Sequence, residues 1–374
     1  MNRKASTLLP VLVFLVAAAI RVHFAARCDA APDYSDMELY NAAALEHGFP
    51  TSLPPGYPLF LRAIYGVFGE RNYEAVFVAQ GLISALTVLL IYRVTRRIGG
   101  TRAGVVAAAV AAVYPNLIVY NLTTMTDTFG VLFVMLLYCA LVASIDDWKK
   151  SVWAAVILGV GFTFRPVLLF FGPGVLLSLR RRLAFMIAAV VVFVPLMAFE
   201  MTGGEDFKRA AAALYKTYGL SLDGRIYVDS TLTEVRREDL PSKTYLGAVW
   251  NAVKNNKGKV AQKIFNKATV LFEAGWDEFV MRPIVGSGKG IVFAMKYAYI
   301  PILALGFVGM ARLYGAGNRM IALPALSYVL LVIVFSIFKY RYRLLIEPAL
   351  IMYASMLVGR PHAPAAARGG AAPE

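Results

Sequence analysis

In the stretch FKYRYRLLIEP, residues 338–348, Lys339, Arg341 and Arg343 stand between two apolar runs. Arginine offers a planar fork that gives paired, charge-assisted hydrogen bonds to a phosphate. Three cations so close together, followed by Glu347-Pro348, suit a bound anionic group. Long cationic side chains at a helix end also reach lipid headgroups without any specific ligand, so snorkelling stands beside phosphate binding as a reading. A second stretch, PDYSDMELY at 32–40, carries Asp33, Asp36 and Glu38. A carboxylate within hydrogen-bond reach of a hydroxyl can take its proton as general base; a solvated acidic loop is the alternative. Asp127 is a third acidic candidate, with a charge meeting a helix macrodipole as its alternative. One chemistry uses both groups. In transfer from a lipid phosphate to a hydroxyl, the acid activates the acceptor and the cations stabilise the departing phosphate.

The elements that must position these residues are membrane helices. Of 374 residues, 59% are apolar and 16% charged, unlike a soluble domain. About 20 apolar residues cross the hydrocarbon core, and runs near that length lie at roughly 5–25, 75–92, 103–120, 128–145, 184–200, 291–311, 320–338 and 344–359. The stretch 151–179 is too long for one crossing and has Arg165-Pro166 at its middle. Proline breaks a helix there, which predicts two short helices meeting at that pair. The fold class expected is all-α and polytopic, with about ten transmembrane helices.

Short-loop cations set orientation. RVTRRIGGTR at 93–102 is the strongest cytoplasmic marker, joined by Lys149-Lys150, Arg180-Arg181-Arg182, Arg312 and Arg319. With ten crossings they fall on one side, and both termini are cytoplasmic. Arg21 and His23 interrupt the position where a signal-peptide cleavage motif would begin, so the first run is expected to stay as a helix. The organisation expected is an N-terminal transmembrane module over 1–200 containing the first outer loop (26–74), an outer amphipathic segment over 201–290, C-terminal helices over 291–359 and a disordered cytoplasmic tail over 360–374. The first loop holds seven acids against three arginines and two amphipathic stretches divided by Pro-Pro-Gly; these should lie along the membrane surface. In the outer segment, Lys259, Lys263 and Lys267 recur at helical spacing, a stripe for anionic headgroups or a solvated face.

Several function classes are excluded. The net charge of +15 sits in loops beside membrane spans, so it reflects topology and not nucleic acid. Cys28 and Cys139 are too few for a disulfide framework. No Walker loop, strand-linked GxGxxG or HExxH occurs, so a soluble nucleotide and a protease-type zinc are unsupported and the donor should be embedded in the membrane.

The collinear set AAAIRVHF, DYSDMELYNAAAL, PPGYPLFLRAIYGVFG, QGLISALTVLLIYRVTRRIGG, AAAVAAVYPNLIVYNLTTMTDTFGVLFVMLL, GVGFTFRPVLL and RYRLLIEPALIMYASML resembles the GT-C superfamily of polyprenyl-phosphate-sugar glycosyltransferases, which includes protein O-mannosyltransferases and aminoarabinose transferases. The likeness is good over 15–180 and 335–359. It implies that Asp36, with Tyr40 at Asp-x-x-x-Tyr spacing, is the catalytic base, with Asp33 and Glu38 as neighbours that share or tune the role. It implies that Asp127 is the second-loop acid, and that Arg165, Arg341 and Arg343 hold the lipid phosphate. Relatives often read Arg-Tyr-Arg-x-Pro, whereas this chain lacks that first proline. The first-loop motif is not the paired Asp-Glu of some relatives, so metal dependence stays open: a divalent metal is a candidate cofactor and no other is implied.

The expected function is an inverting glycosyltransferase that moves a monosaccharide from a polyprenyl-phosphate donor to a hydroxyl of a lipid, glycan or protein. It would act at the outer face of the cell membrane, a bacterial inner membrane by composition, among membrane lipids. A transporter or flippase of lipid-linked sugars or anionic lipids is the rival, since intramembrane charges also mark translocation paths. The sequence lacks the repeated halves common in transporters.

Overall fold

The computed structural model describes residues 3–46, 53–202, 254–255, 257–273, 284, 289–313, 318–335 and 340–358. Every regular element among them is a helix. Helix α1 (Arg3–Ala25) leads into the first loop, where α2 (Asp36–Leu45) and α3 (Gly56–Phe68) pack against one another. Two acids in the first turn of α2, Asp36 and Glu38, suit the positive end of its dipole. Three residues of α3, Tyr57, Leu61 and Tyr65, turn inward at helical spacing, while Val67 and Phe68 stay exposed near its end.

Helix α4 (Tyr73–Val113) is formally continuous but breaks at Gly100, whose φ of 86° only glycine adopts freely. Its two arms fold back on each other. Arg21 of α1 bridges them, donating through Nε to Ser84 Oγ at 2.8 Å and through Nη1 and Nη2 to the carbonyls of Ala112 and Ala111 at 2.9 and 3.0 Å. Those carbonyls belong to the last turn of α4, where backbone acceptors lack helical partners and the dipole is negative. Among the described residues, this buried cation is held by a hydroxyl and backbone carbonyls and not by a carboxylate. The expected 93–102 loop is thus part of a helix that kinks at Gly100.

The chain continues through α5 (Pro115–Val119) and a 3₁₀ turn (Tyr120–Leu122) to α6 (Asp127–Val142) and α7 (Asp147–Phe164). Arg165 then takes extended geometry (φ −149°, ψ 96°), followed by a 3₁₀ segment (Pro166–Phe171) and α8 (Gly172–Ser178). This is the expected break, caused by a proline that cannot continue the α7 hydrogen-bond ladder. Its two limbs return to one level, because Ser151 Oγ donates to the Arg181 carbonyl at 3.1 Å.

The remaining described helices are α9 (Arg182–Thr202), α10 (Lys257–Phe272), α11 (Lys289–Tyr297), α12 (Tyr299–Arg312), α13 (Arg319–Phe335) and α14 (Glu347–Met356), with a 3₁₀ turn (Tyr340–Leu345) before α14. Helices α12 and α14 meet at Gly306 and Gly309; a Cβ on Gly309 would lie 2.3 Å from the Tyr353 carbonyl oxygen. Leu271 and Phe272 at the end of α10 join a small apolar cluster with Val329 and Ile333 of α13.

Three helices, at Leu8–Ala25, Tyr73–Val113 and Phe293–Arg312, are long and apolar enough to cross a membrane, and shorter apolar helices accompany them. Exposed Leu8, Leu12 and Leu15 on α1, and Leu183, Ile187 and Val190 on α9, give the bundle an apolar outside suited to lipid. The short α14 is buried almost throughout. It is wrapped by the bundle and does not face lipid.

Basic residues gather at one end of the bundle. Arg97 donates to Ser144 Oγ, Tyr353 donates to the Asn318 carbonyl at 2.7 Å, and Met356 packs on Gly99. Together with the Ser151–Arg181 bond, these contacts bring the expected cytoplasmic markers to a common level. The acids of the first loop lie at the opposite end, against the turn before α14.

Candidate active site

At that opposite end two ion pairs face each other. Asp36, at the start of α2, accepts a hydrogen bond from Arg341 Nη2 at 2.5 Å, although the two residues are 305 positions apart. Its side chain is 34% exposed against 14% for Arg341, so the carboxylate is reachable from outside while its partner is seated in the protein. The residue before it, Ser35, has a φ of 57°. Such a conformation costs about 1–3 kcal/mol in a residue other than glycine, and it turns the chain into α2 just where Asp36 must meet Arg341.

Asp127, in the first turn of α6, is fully buried and ion-paired with Arg165 Nη1. The break after α7 is what frees Arg165 to reach it. Arg165 Nη1 also lies 3.4 Å from Thr126 Oγ1. The two arginines share an aromatic neighbour, Tyr342, whose ring centre is 5.5 Å from the Arg165 guanidinium carbon and 6.0 Å from that of Arg341. Tyr328 fixes this turn by donating to the Tyr342 carbonyl at 2.8 Å. Tyr40 completes the group from α2. Burial, reinforced by Asp36 and opposed by Arg341 and Arg165, pushes its phenol up to about 12, so it keeps its proton as a hydrogen-bond donor.

Polar capacity remains unused here. Among the described residues, Asp127 Oδ2, Arg165 Nε and Arg341 Nε are buried without a hydrogen-bond partner. Arg341 Nη1 faces the thioether of Met125 at 3.1 Å, a weak acceptor. Orphaned buried donors cost about 1–3 kcal/mol each, and two of these three atoms are N–H groups suited to an anion.

The sequence candidates therefore separate. Asp36, Asp127, Arg165 and Arg341 come together. Arg343 turns to another buried pair, with Nε 3.2 Å from Glu347 Oε1 and Nη1 donating to the Glu273 carbonyl at 2.7 Å. Its guanidinium carbon sits 4.2 Å from the Tyr299 ring centre, and Asn116 donates to Glu347 Oε1 at 3.1 Å. This second cluster ties α5, α10, α12 and α14 beneath the turn that carries Arg341. Asp33 pairs with Arg71 and accepts from Asn41, and Glu38 is exposed on α2. Lys339 lies outside the described residues. Among the described residues, no group of three or more His, Cys, Asp or Glu side chains is placed to hold a metal ion.

Sequence reasoning did not single out Tyr342, Asn116 or the staple made by Arg21. An arginine inside an apolar helix was the available signal for the last, since such a charge needs a built environment.

A bundle of apolar helices, a proline break and two arginine–carboxylate pairs at one end define this protein, and its fold is shared with solved membrane proteins. Residues 52–201 match the family model described as dolichyl-phosphate-mannose-protein mannosyltransferase. The chain is similar to ArnT from Cupriavidus metallidurans, solved bound to undecaprenyl phosphate, with 13% identity and a TM-score of 0.55 over 95% of this chain and 60% of that one. It is also similar to the archaeal oligosaccharyltransferase AglB from Archaeoglobus fulgidus, solved with an inhibitory peptide and a dolichol-phosphate, with 12% identity and a TM-score of 0.51 over 94% of this chain and 50% of that one. The chain thus spans about half to three-fifths of the length of these proteins. No curated protein sequence matches it. The resemblance read from the sequence is borne out by the family model and the fold.

Proposed function

We propose that this chain is an integral membrane glycosyltransferase that transfers a monosaccharide from a polyprenyl-phosphate donor to a hydroxyl acceptor. The observation that carries the reading is the meeting of Asp36 with Arg341, an acid and a phosphate-type cation brought from opposite ends of the sequence. The bound undecaprenyl phosphate of ArnT and dolichol-phosphate of AglB support a lipid phosphate as the donor's anchor.

In this mechanism Asp36 receives the proton of the acceptor hydroxyl, whose oxygen attacks the anomeric carbon opposite the phosphate and inverts its configuration. Arg341 and Arg165 stabilise the charge that develops on the leaving phosphate. Asp127 holds Arg165, and Arg343 acts through Glu347 to hold the turn bearing Arg341. Lys339 is a further phosphate-facing candidate on sequence grounds. The basic end faces the cytoplasm with both termini, so the site opens at the outer face, in a bacterial inner membrane.

The test is Asp36→Asn in purified protein supplied with a synthetic polyprenyl-phosphate sugar. General-base removal costs about 10²–10⁴-fold in rate, so transfer should fall by that factor with expression and folding unchanged. Full activity in the Asp36→Asn enzyme overturns the assignment. Asp33 is already engaged by Arg71, and the double variant with Asp33→Asn measures whatever compensation it supplies.

A further inference from the structure

We propose that Arg341 is shared in time between Asp36 and the leaving phosphate, so that protonation of the base hands the arginine to the product. The inference rests on the glycosyltransferase reading and concerns how its two halves are coupled. Asp36 and Arg341 are in direct contact at 2.5 Å. Among the described residues, the same guanidinium keeps Nε without a partner and turns Nη1 to a thioether. It can therefore grip a phosphate only partly while Asp36 stays charged, and fully once Asp36 is neutral.

Charge counting leads to the same place. Asp36, Asp127, Arg165 and Arg341 sum to zero. A sugar-phosphate diester donor carries one negative charge, and the polyprenyl monophosphate left behind carries up to two. In the reaction the acceptor O–H bond breaks with its proton going to Asp36, and the oxygen pair forms the new bond to the anomeric carbon. The bond from that carbon to the phosphate oxygen breaks, and its electron pair stays on phosphate. The four side chains then sum to plus one just as the phosphate gains its second charge. Total charge is conserved, and the guanidinium released by Asp36 faces the new charge. Return of Asp36 to its ionised form reclaims Arg341 and loosens the product.

The coupling gives an unusual sign, since removing the catalytic acid should tighten product binding. Binding of farnesyl phosphate is measured for wild type, Asp36→Asn and Asp36→Ser, with farnesol and inorganic phosphate as further probes; Asp146→Asn, just before α7 where Asp146 pairs with Lys149, is the charge control. Asp36 is 34% exposed, so neither replacement disturbs core packing. Farnesyl phosphate should bind about tenfold more tightly to both variants than to wild type, tenfold being about 1.4 kcal/mol. In an Arg341→Gln background the gain should disappear, which separates a shared arginine from a plain loss of negative charge.

Equal or weaker binding by both variants, or a gain that persists undiminished without Arg341, overturns the proposal. A similar gain with inorganic phosphate supports it and assigns the effect to the phosphate group without the lipid. If no form of the protein binds farnesyl phosphate better than farnesol, the glycosyltransferase reading fails, and the coupling with it.

Discussion

Separating the Asp127–Arg165 pair should destabilise the protein in an order that the geometry sets. Asp127 is fully buried and Arg165 nearly so, and removing one member of a buried pair costs about 3–5 kcal/mol because the other charge is left uncompensated. After Asp127→Ala, Arg165 keeps the Thr126 hydroxyl at 3.4 Å and the Tyr342 ring at 5.5 Å. A ring contact of this kind contributes about 0.5–2 kcal/mol, so the loss should remain about 3 kcal/mol. Arg165→Met should cost less, since a stranded carboxylate can take up a proton whereas a guanidinium stays charged. The double variant removes both charges and should recover most of the stability lost by Asp127→Ala alone, leaving an interaction energy of about 2–3 kcal/mol in a double-mutant cycle. Denaturation in detergent measures stability, and sugar transfer by the same samples measures function. The double variant should be folded but, on the proposed mechanism, poor at transfer, because Arg165 is there assigned to the phosphate. Additive losses, or a double variant as unstable as Asp127→Ala, would refute the view that this pair is a closed electrostatic unit.

Two other perturbations follow from buried cations. Arg21→Met leaves the last-turn carbonyls of Ala111 and Ala112 without their donors; at about 1–3 kcal/mol per orphaned group, a loss of about 2–6 kcal/mol is expected. Unchanged thermal stability would remove Arg21 as the staple between α1 and α4. At Lys267 on α10, burial, helped by the charge of Lys263, lowers the ammonium to about 8. Between that pH and the ordinary lysine value of about 10.4, the unfolded chain binds more protons, so stability rises with pH across the interval. Below about 8 both states are charged and the full burial penalty is present. Lys267→Met should therefore melt higher than wild type at neutral pH, with the gap closing as pH rises through that window; a gap independent of pH would count against it.

Much of this was legible in the sequence, for reasons that differ from residue to residue. Arg165-Pro166 announced its break because proline chemistry is local. Asp36 and Arg341 were nameable by type, since an acid cluster and a cation cluster beside apolar runs need explaining. The division of labour between Arg341 and Arg343 was not legible. On a 3₁₀ turn, with about three residues per turn, side chains two positions apart diverge widely, so one arginine meets Asp36 and the other meets Glu347. Asn116 is joined to Glu347 across 231 positions, a contact that no local pattern encodes. At 93–102, polar composition suggested a loop where the helix runs on to a single kink at Gly100.

The separation of 305 residues between Asp36 and Arg341 has a bearing on biogenesis. A chain emerging from the ribosome presents Asp36 305 residues before Arg341. Until the turn before α14 is made and seated, no intermediate holds both halves of this ion pair. On the proposed reading, a chain still lacking Arg341 holds an acid without its cation and so an incomplete site.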